Sequence, residues 1–213
     1  MKRKKSIQQL TLAAFFVAVQ VIMTVTPIGY IPVGALSITT MHLPVILAGV
    51  LLGAKFGALT GFVFGLTSML RATFQPSVSS VFFTPFVTVG GVSGNFWSLV
   101  IVFVPRILLG VLSAYMYQAL CKRMNSVLAC TAAAAVNTVI HTVLVLGLIA
   151  IFFGEQYAAV CGVEVSGLFA VLMGVVATNG VLEAVLAGIV VPALVRALKP
   201  SAERMGLVPA AAH

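Results

Sequence analysis

Long apolar runs, separated by short groups of charged or turn-forming residues, dominate this chain. The six runs cover residues 6–26, 38–53, 56–71, 98–120, 126–153 and 166–196. They lack the alternation of polar and apolar positions that marks a barrel strand, and most approach the roughly 20 residues that a helix needs to cross a bilayer. The pattern predicts an all-α membrane protein with one bundle of six transmembrane helices over residues 1–200 and a tail at residues 201–213.

The second and third runs form the most specific stretch. Gly53, Gly57, Gly61 and Gly65 recur every four residues. This spacing lets membrane helices pack closely. Pro44 suits the first turn of a helix, and from there to Gly53 the helix covers only about half of a hydrocarbon core of roughly 30 Å. The chain that leads into it must enter the membrane region, where irregular backbone needs protein or a water-filled cavity. A pocket near the outer end of this hairpin is expected.

Composition supports the membrane assignment. The 213 residues are 61% hydrophobic and only 8% charged, with a mean hydropathy of +1.18, far from the average of soluble domains. The net charge of +8 would suit a nucleic-acid-binding protein. However, the basic residues lie at the ends of the apolar runs, as topology signals do, and we expect no nucleic acid as a partner.

The positions of the basic residues predict the orientation. If six spans alternate, one side of the membrane carries Lys2, Arg3, Lys4, Lys5, Lys55, Lys122, Arg123, Arg196 and Lys199. The other side has uncharged loops at 27–40 and 72–97 and a third loop at 154–165 that contains Glu155 and Glu164. By the positive-inside rule, both termini are expected in the cytoplasm and the long loops outside.

Two arginines outside the cytoplasmic set and the tail are candidates for binding an anion. Arg71 lies at the outer end of the third run, and Arg106 lies inside the fourth. A buried arginine is costly unless it faces a partner or a water-filled cavity. The alternative for Arg106 is pairing with Glu183 or with backbone carbonyl groups, and Arg71 can instead extend to the membrane surface. Glu183 itself is expected to be structural, because it lies deepest toward the cytoplasm.

Polar side chains elsewhere complete the candidate site. Asn137 and His141 stand one helical turn apart on the fifth run, and Asn179 begins a similar pair on the sixth. Such side chains point into the bundle, where hydrogen bonds between helices are the simplest explanation. Their occurrence on consecutive runs favours a shared cavity open to the outside. Asn95 and Trp97, at the outer start of the fourth run, are further candidates, with an aromatic interface belt as the alternative for Trp97.

Catalytic and metal-binding signatures are absent from the sequence. The segment GVLLGAKF resembles a phosphate loop, but its spacing is one residue short and no Ser or Thr follows Lys55. The chain has only four acidic residues, without paired carboxylates, and its three cysteines lack metal-ligand spacing. We therefore expect neither an enzyme nor a chain that binds its own cofactor or metal.

The chain resembles a known family in three segments, HLPVILAGVLLGAKFGALTGFVFGLTSMLRATFQP, SSVFFTPF and NFWSLVIVFVPRILLG. Together with Ala14 and Ala18 on the first run, they resemble the substrate-binding S component of an energy-coupling factor (ECF) vitamin transporter. The resemblance extends from Gln8 to Arg196 and is greatest to the pantothenate-type members. It implies a subunit of the bacterial plasma membrane that captures a vitamin from outside, under a lid made by the first and third outer loops.

The resemblance also implies the partners of the chain. Ala14 and Ala18 would dock onto a transmembrane coupling subunit that is carried by two ATPase subunits, and the ATP would be used there. If the vitamin is pantothenate, its carboxylate would suit Arg71 or Arg106 in a charge-assisted hydrogen bond. Its hydroxyl and amide groups would suit the neutral polar candidates, and its dimethyl group would suit an aromatic wall from Trp97 or Phe83.

Three alternatives stay open at this point. An S component for another small vitamin, such as riboflavin, folate or cobalamin, fits the same pattern. A self-sufficient secondary transporter would need coupling-ion ligands and usually an inverted repeat, and only Glu183 is available as a proton site. A membrane enzyme of vitamin metabolism would have to convert a substrate without any partner.

Overall fold

The computed structural model describes residues 2–33 and 36–204. Side chains are described within those ranges except at 2–6, 31–33, 36–38, 78, 199 and 201–204. The α-helices of this part of the chain are α1 (Lys2–Val25), α2 (His42–Leu52), α3 (Ala54–Phe74), α4 (Phe96–Leu120), α5 (Ser126–Cys161), α6 (Leu168–Val175) and α7 (Val181–Arg204). Gly34, which belongs to the predicted loop at 27–40, and most of the predicted tail, residues 205–213, lie outside the described residues.

Four helical segments are long and apolar enough to cross a membrane. They are Ile7–Val25, Phe96–Leu120, Ser126–Cys161 and Val165–Leu198. Helix α2, by contrast, has 11 residues and every one of them is buried, so it lies in the interior of the bundle. The predominantly helical, apolar character predicted from the sequence is confirmed. The count of six crossings stays a prediction.

The turn between α2 and α3 depends on a glycine. Gly53 has φ +91° and ends α2, where its amide donates to the carbonyl oxygen of Gly49 at 3.0 Å. Only glycine adopts such a backbone without strain. Pro44 lies in the first turn of α2, as its fixed φ predicts. The prediction that Gly53 belongs to the packing stripe is wrong, because this residue separates the two helices.

The remaining glycines of the stripe bring α3 directly onto the backbone of α4. A Cβ atom at Gly57 would collide with the carbonyl oxygen of Gly110, and one at Gly61 would collide with the carbonyl oxygen of Arg106. A Cβ atom at Gly65 would lie 2.7 Å from the Phe103 ring. The contact is reciprocal, because a Cβ atom at Gly110 would meet the carbonyl group of Gly57. The predicted small-residue packing is therefore confirmed for these three positions.

Two short antiparallel hairpins form where the sequence predicted only loops. Strands β1 (Tyr30–Val33) and β2 (Leu36–Thr39) pair with Tyr30 opposite Thr39, and they fill the space before the short helix α2. Strands β3 (Thr88–Val89) and β4 (Val92–Ser93) turn through Gly90 and Gly91 at positive φ. The open end of the first hairpin, where Tyr30 is opposite Thr39, reaches polar residues of the bundle.

The loop between α3 and α4 is packed against the bundle. A 3₁₀ helix at Val78–Phe82 is closed by a capping box between Ser77 and Ser80. The Ser98 hydroxyl of α4 donates to the carbonyl oxygen of Val81 at 2.8 Å. The fully buried ring of Phe82 has its centroid 5.4 Å from that of Phe153 on α5. These contacts hold the loop over the same end of α4 and α5.

Helix α5 is longer than the sequence predicted. It continues through a local break at Phe153 (φ −138°, ψ 25°) to Cys161, and Gly162 caps it in the left-handed conformation. Most of the predicted loop at 154–165 is therefore helical, and Glu155 lies on the helix. The reason is that this last part still has a side to bury, since Ala158 packs against Leu168 and Leu172 of α6. Helix α6 then passes through a π-helical turn, Val176–Gly180, into α7.

The backbone contact between α3 and α4 generates a stability prediction. Gly61→Ala should lower the free energy of unfolding by about 1–3 kcal/mol, because the added methyl group must push the Arg106 main chain away. Thermal unfolding of the detergent-solubilised chain measures this. Gly147→Ala is the matched control, since a Cβ atom at this helical glycine meets nothing within 4 Å. Equal melting temperatures for the two variants would contradict the close contact.

Candidate ligand-binding cavity

A cavity of about 600 Å³ lies between the helices and the first hairpin. Its size falls in the usual range of small-molecule sites, roughly 300–1,000 Å³. Helices α3, α4, α5 and α7, the π-helical turn, the α3–α4 loop and β1–β2 all contribute to its wall. The charged side chains of the wall are Arg71, Arg106 and Glu183, and the neutral polar ones include Tyr30, His141 and Asn179.

Arg106 is held by a backbone carbonyl group that the preceding proline leaves without its helical partner. Pro105 lies inside α4 and has no N–H to donate to the carbonyl group of Ile101, four residues earlier. The Nη1 atom of Arg106 donates to that carbonyl oxygen at 2.6 Å. The Pro105–Arg106 pair thus replaces one backbone hydrogen bond with a bond from the guanidinium group.

Aromatic rings surround the same guanidinium group. Its Cζ atom lies 5.1 Å from the ring centroid of Phe83 and 5.5 Å from that of Phe64, within the range of cation–π attraction. The Nε atom of Arg106 is buried and has no hydrogen-bond partner among the described residues. A buried donor without a partner is costly, so the site would gain free energy from an acceptor on a ligand.

Arg71 lies in the last turn of α3 and packs on the first hairpin. Its Cζ atom is 3.9 Å from the ring centroid of Tyr30, and the Tyr30 hydroxyl lies 3.3 Å from the Ser68 hydroxyl oxygen. The ring covers the face of the guanidinium group and leaves its N–H edge for hydrogen bonds. Arg71 therefore lines the cavity and supports the hairpin at the same time.

Glu183 lies at the cavity, and its contact with the first hairpin agrees with the structural role predicted for it, whereas its depth toward the cytoplasm stays a prediction. The carboxylate is 6% exposed, and its Oε1 atom accepts a 2.8 Å hydrogen bond from the backbone N–H of Thr39. Thr39 is the last residue of β2, which leads into the short helix α2, and this contact joins α7 to the first hairpin. In the described part of the chain no ion pair joins Glu183 to Arg106. The backbone-carbonyl alternative is the one that the structure shows for Arg106.

The two polar residues of α5, Asn137 and His141, have different surroundings. His141 lines the cavity, and its buried Nε2 atom has no partner among the described side chains and backbone groups. Asn137 points instead into the α4–α5 contact, where its Nδ2 atom donates to the Ser113 hydroxyl oxygen at 3.2 Å. Asn137 therefore serves as the interhelical hydrogen bond that was its simpler interpretation, and it does not line the cavity.

The two candidates at the start of α4 also lie away from the cavity. The Oδ1 atom of Asn95 accepts a 2.8 Å hydrogen bond from the Trp97 amide, and Asn95 forms a capping box with Ser98. The Trp97 ring stacks on Phe152 with centroids 3.9 Å apart and planes 8° from parallel. Of the seven predicted binding residues, the cavity brings together Arg71, Arg106, His141 and Asn179. Whether these four bind a ligand stays a prediction.

The aromatic part of the wall was predicted only in part, because Phe83 was expected to contact the dimethyl group and the other rings were not. Tyr30, Phe64, Phe83 and Tyr157 all line the cavity. Phenylalanine occurs in five of the six apolar runs of this chain, so composition gives no signal that would select these rings. Tyr30 was a better target, because it is a rare amphipathic residue in a loop already expected to enter the membrane.

The apolar helices and the cavity between them are typical of a multi-pass membrane protein with a small-molecule site. Residues 8–195 match the family model described as ECF transporter, substrate-specific component. The chain belongs to this family. The resemblance predicted from the sequence is confirmed, and the family consists of transporters, which agrees with the expectation that the chain is not an enzyme.

Two curated relatives cover almost the whole chain. The pantothenic acid transporter PanT of Lactococcus lactis subsp. cremoris is 36% identical over 201 residues, which is 93% of this chain and 96% of the relative. The pantothenate transporter PanT of Leuconostoc mesenteroides subsp. mesenteroides is 29% identical over 208 residues, or 93% of this chain and 95% of the relative. The likeness to the pantothenate-type members is therefore confirmed.

Proposed function

We propose that this chain is the high-affinity pantothenate-binding subunit of an ECF-type importer in the bacterial plasma membrane. In this proposal the chain crosses the membrane six times with both termini in the cytoplasm, and the cavity opens to the outside. One observation carries the ligand assignment: both arginines of the cavity are held by aromatic rings or a backbone carbonyl group rather than by a carboxylate. Their positive charges remain available to an anion.

Pantothenate matches the chemistry of the wall. Its single carboxylate would accept from Arg106, whose Nε donor has no partner among the described residues, or from the N–H edge of Arg71. Its amide and hydroxyl groups would hydrogen-bond to His141 and Asn179, and its dimethyl group would pack against the ring of Phe83. The PanT names of both relatives support the same ligand.

Calorimetric titration of the purified chain tests the anion assignment. Arg106→Ala should weaken pantothenate binding about 10- to 100-fold, the usual effect of losing a charge-assisted hydrogen bond of about 1.5–3 kcal/mol. The same variant should change the binding of panthenol much less, because panthenol has an alcohol group in place of the carboxylate. Unchanged pantothenate affinity in a well-folded variant would contradict direct pairing.

Two control variants separate the cavity from the rest of the molecule. Arg196→Ala removes an exposed arginine of α7 outside the cavity, and it should leave the affinity unchanged. Trp97→Ala removes the stack on Phe152 but no cavity wall, so pantothenate should still bind within about twofold of the wild type. A large loss with Trp97→Ala would instead favour its original interpretation as a ligand contact.

Helix α1 offers the surface through which the chain would be coupled to ATP hydrolysis. Ala14 and Ala18 are exposed on one side of α1, whereas Ala13 and Phe16 face the core. Small exposed side chains allow another helix to approach closely. We assign this surface to the transmembrane coupling subunit, which two ATPase subunits would carry, and we expect the chain itself to bind no nucleotide.

Replacing Ala14 and Ala18 with Trp should abolish vitamin uptake by cells and leave pantothenate binding by the purified chain nearly intact. The large rings would block the approach of the partner helix, while the cavity lies elsewhere. Uptake of labelled pantothenate and calorimetry measure the two effects. The matched control is Ala193→Trp with Ala197→Trp, an exposed pair with the same spacing on α7. Proton-driven uptake by the chain alone in vesicles would contradict the assignment as a subunit.

A further inference from the structure

The cavity contains one charged side chain that an anion alone does not explain. Glu183 is the acidic residue of a wall that also carries two arginines, and it is almost completely buried. A buried carboxylate is costly unless hydrogen bonds compensate it. We propose that Glu183 is a specificity-determining residue, which accepts a hydrogen bond from a hydroxyl group of the ligand. This inference rests on the proposed binding of pantothenate.

The hydrogen bond to the hairpin uses only part of the carboxylate. Thr39 donates its backbone N–H to Oε1 at 2.8 Å, and this bond uses one of the two carboxylate oxygens. An ionised carboxylate has two oxygens that both accept and neither can donate. A ligand group that meets Glu183 in the cavity must therefore be a donor, such as a hydroxyl group or an amide N–H.

The arginines impose the opposite requirement. A guanidinium group donates hydrogen bonds and cannot accept them, so the ligand group near Arg71 or Arg106 must be an acceptor. No ion pair in the described part of the chain consumes these charges, and Arg106 and Glu183 are each held by a backbone group instead. The wall thus presents separate donor and acceptor positions to one ligand. A molecule with a carboxylate at one end and hydroxyl groups at the other satisfies both.

The backbone of the last helical segment supports this role. Glu183 follows closely after the π-helical turn Val176–Gly180, which contains Asn179. Both side chains line the cavity. Single π-helical turns are rare and occur frequently at functional sites, because they change which side chains a helix directs to one side. An amide and a carboxylate from this segment thus line the same cavity.

A purely structural role for Glu183 makes a different prediction. If the carboxylate only holds the hairpin through the Thr39 amide, Gln is an adequate replacement, because its side-chain oxygen still accepts from that N–H. The loss of the charge would then leave ligand preference unchanged. A residue that binds the ligand hydroxyl group would change the preference, since a neutral amide is a weaker acceptor than a carboxylate.

The test compares pantothenate with an analogue in which both hydroxyl groups are replaced by hydrogen. The full-length chain, Glu183→Gln and Glu183→Ala are titrated with both compounds by calorimetry. We expect the wild type to prefer pantothenate about 10- to 100-fold, the effect of a hydrogen bond to a charged group. The preference should decrease in Glu183→Gln and decrease further in Glu183→Ala. Glu155→Gln, at an exposed acidic residue outside the cavity, should keep the wild-type preference.

The outcomes separate this inference from the proposed function. Tight binding of pantothenate with the same preference in the wild type and Glu183→Gln would overturn the role of Glu183 and leave the proposed function intact. Absence of pantothenate binding by the wild type would overturn both. If Glu183→Ala does not fold, the Gln variant still decides, because it keeps the acceptor for the Thr39 amide.

Discussion

The close approach of α3 to α4 is the constraint on which the cavity depends. Gly61 lies directly against the carbonyl group of Arg106, and Gly57 lies against Gly110 one helical turn further along α4. Helices that touch through their backbones cannot shift without a collision. The Arg106 main chain is therefore fixed in position, and its side chain extends from a rigid support. A binding group held in this way loses little conformational freedom when a ligand arrives.

Burial of Arg106 and partial burial of Arg71 beside apolar helices set the electrostatic character of the site. Water no longer solvates these charges fully, and the desolvation penalty is several kcal/mol per ion. Aromatic rings and the Ile101 carbonyl group compensate part of it. An anionic ligand would complete the compensation, because charge-assisted hydrogen bonds are strongest where water is excluded. An anion that binds there would offset part of the desolvation penalty of the cations, and this gain would contribute to its affinity.

The sequence predicted the helices, the glycine packing and four cavity residues because each leaves a local pattern. It could not predict which of Asn137 and His141 faces the cavity, since the rotation of α5 is set by its contact with Ser113 on α4. For Asn95, by contrast, the local sequence did contain the information. A residue with Ser98 three positions later has the spacing of a capping box, and that local signal was overlooked. The place of Glu183 in the cavity wall depends on its contact with the Thr39 amide, and no short stretch of sequence predicts a contact between such distant residues.

The first hairpin contacts two charged residues of the cavity wall, Arg71 and Glu183. Both contacts lie at its open end, where Tyr30 is paired with Thr39: the ring of Tyr30 lies on Arg71, and the Thr39 amide donates to Glu183. Each contact uses only part of the group it touches. The ring covers the face of a guanidinium group whose donors lie in its plane, and the amide takes one of two carboxylate oxygens. A ligand can therefore bind both charged groups without displacing the hairpin, so that ligand and hairpin stabilise the same arrangement of Arg71 and Glu183.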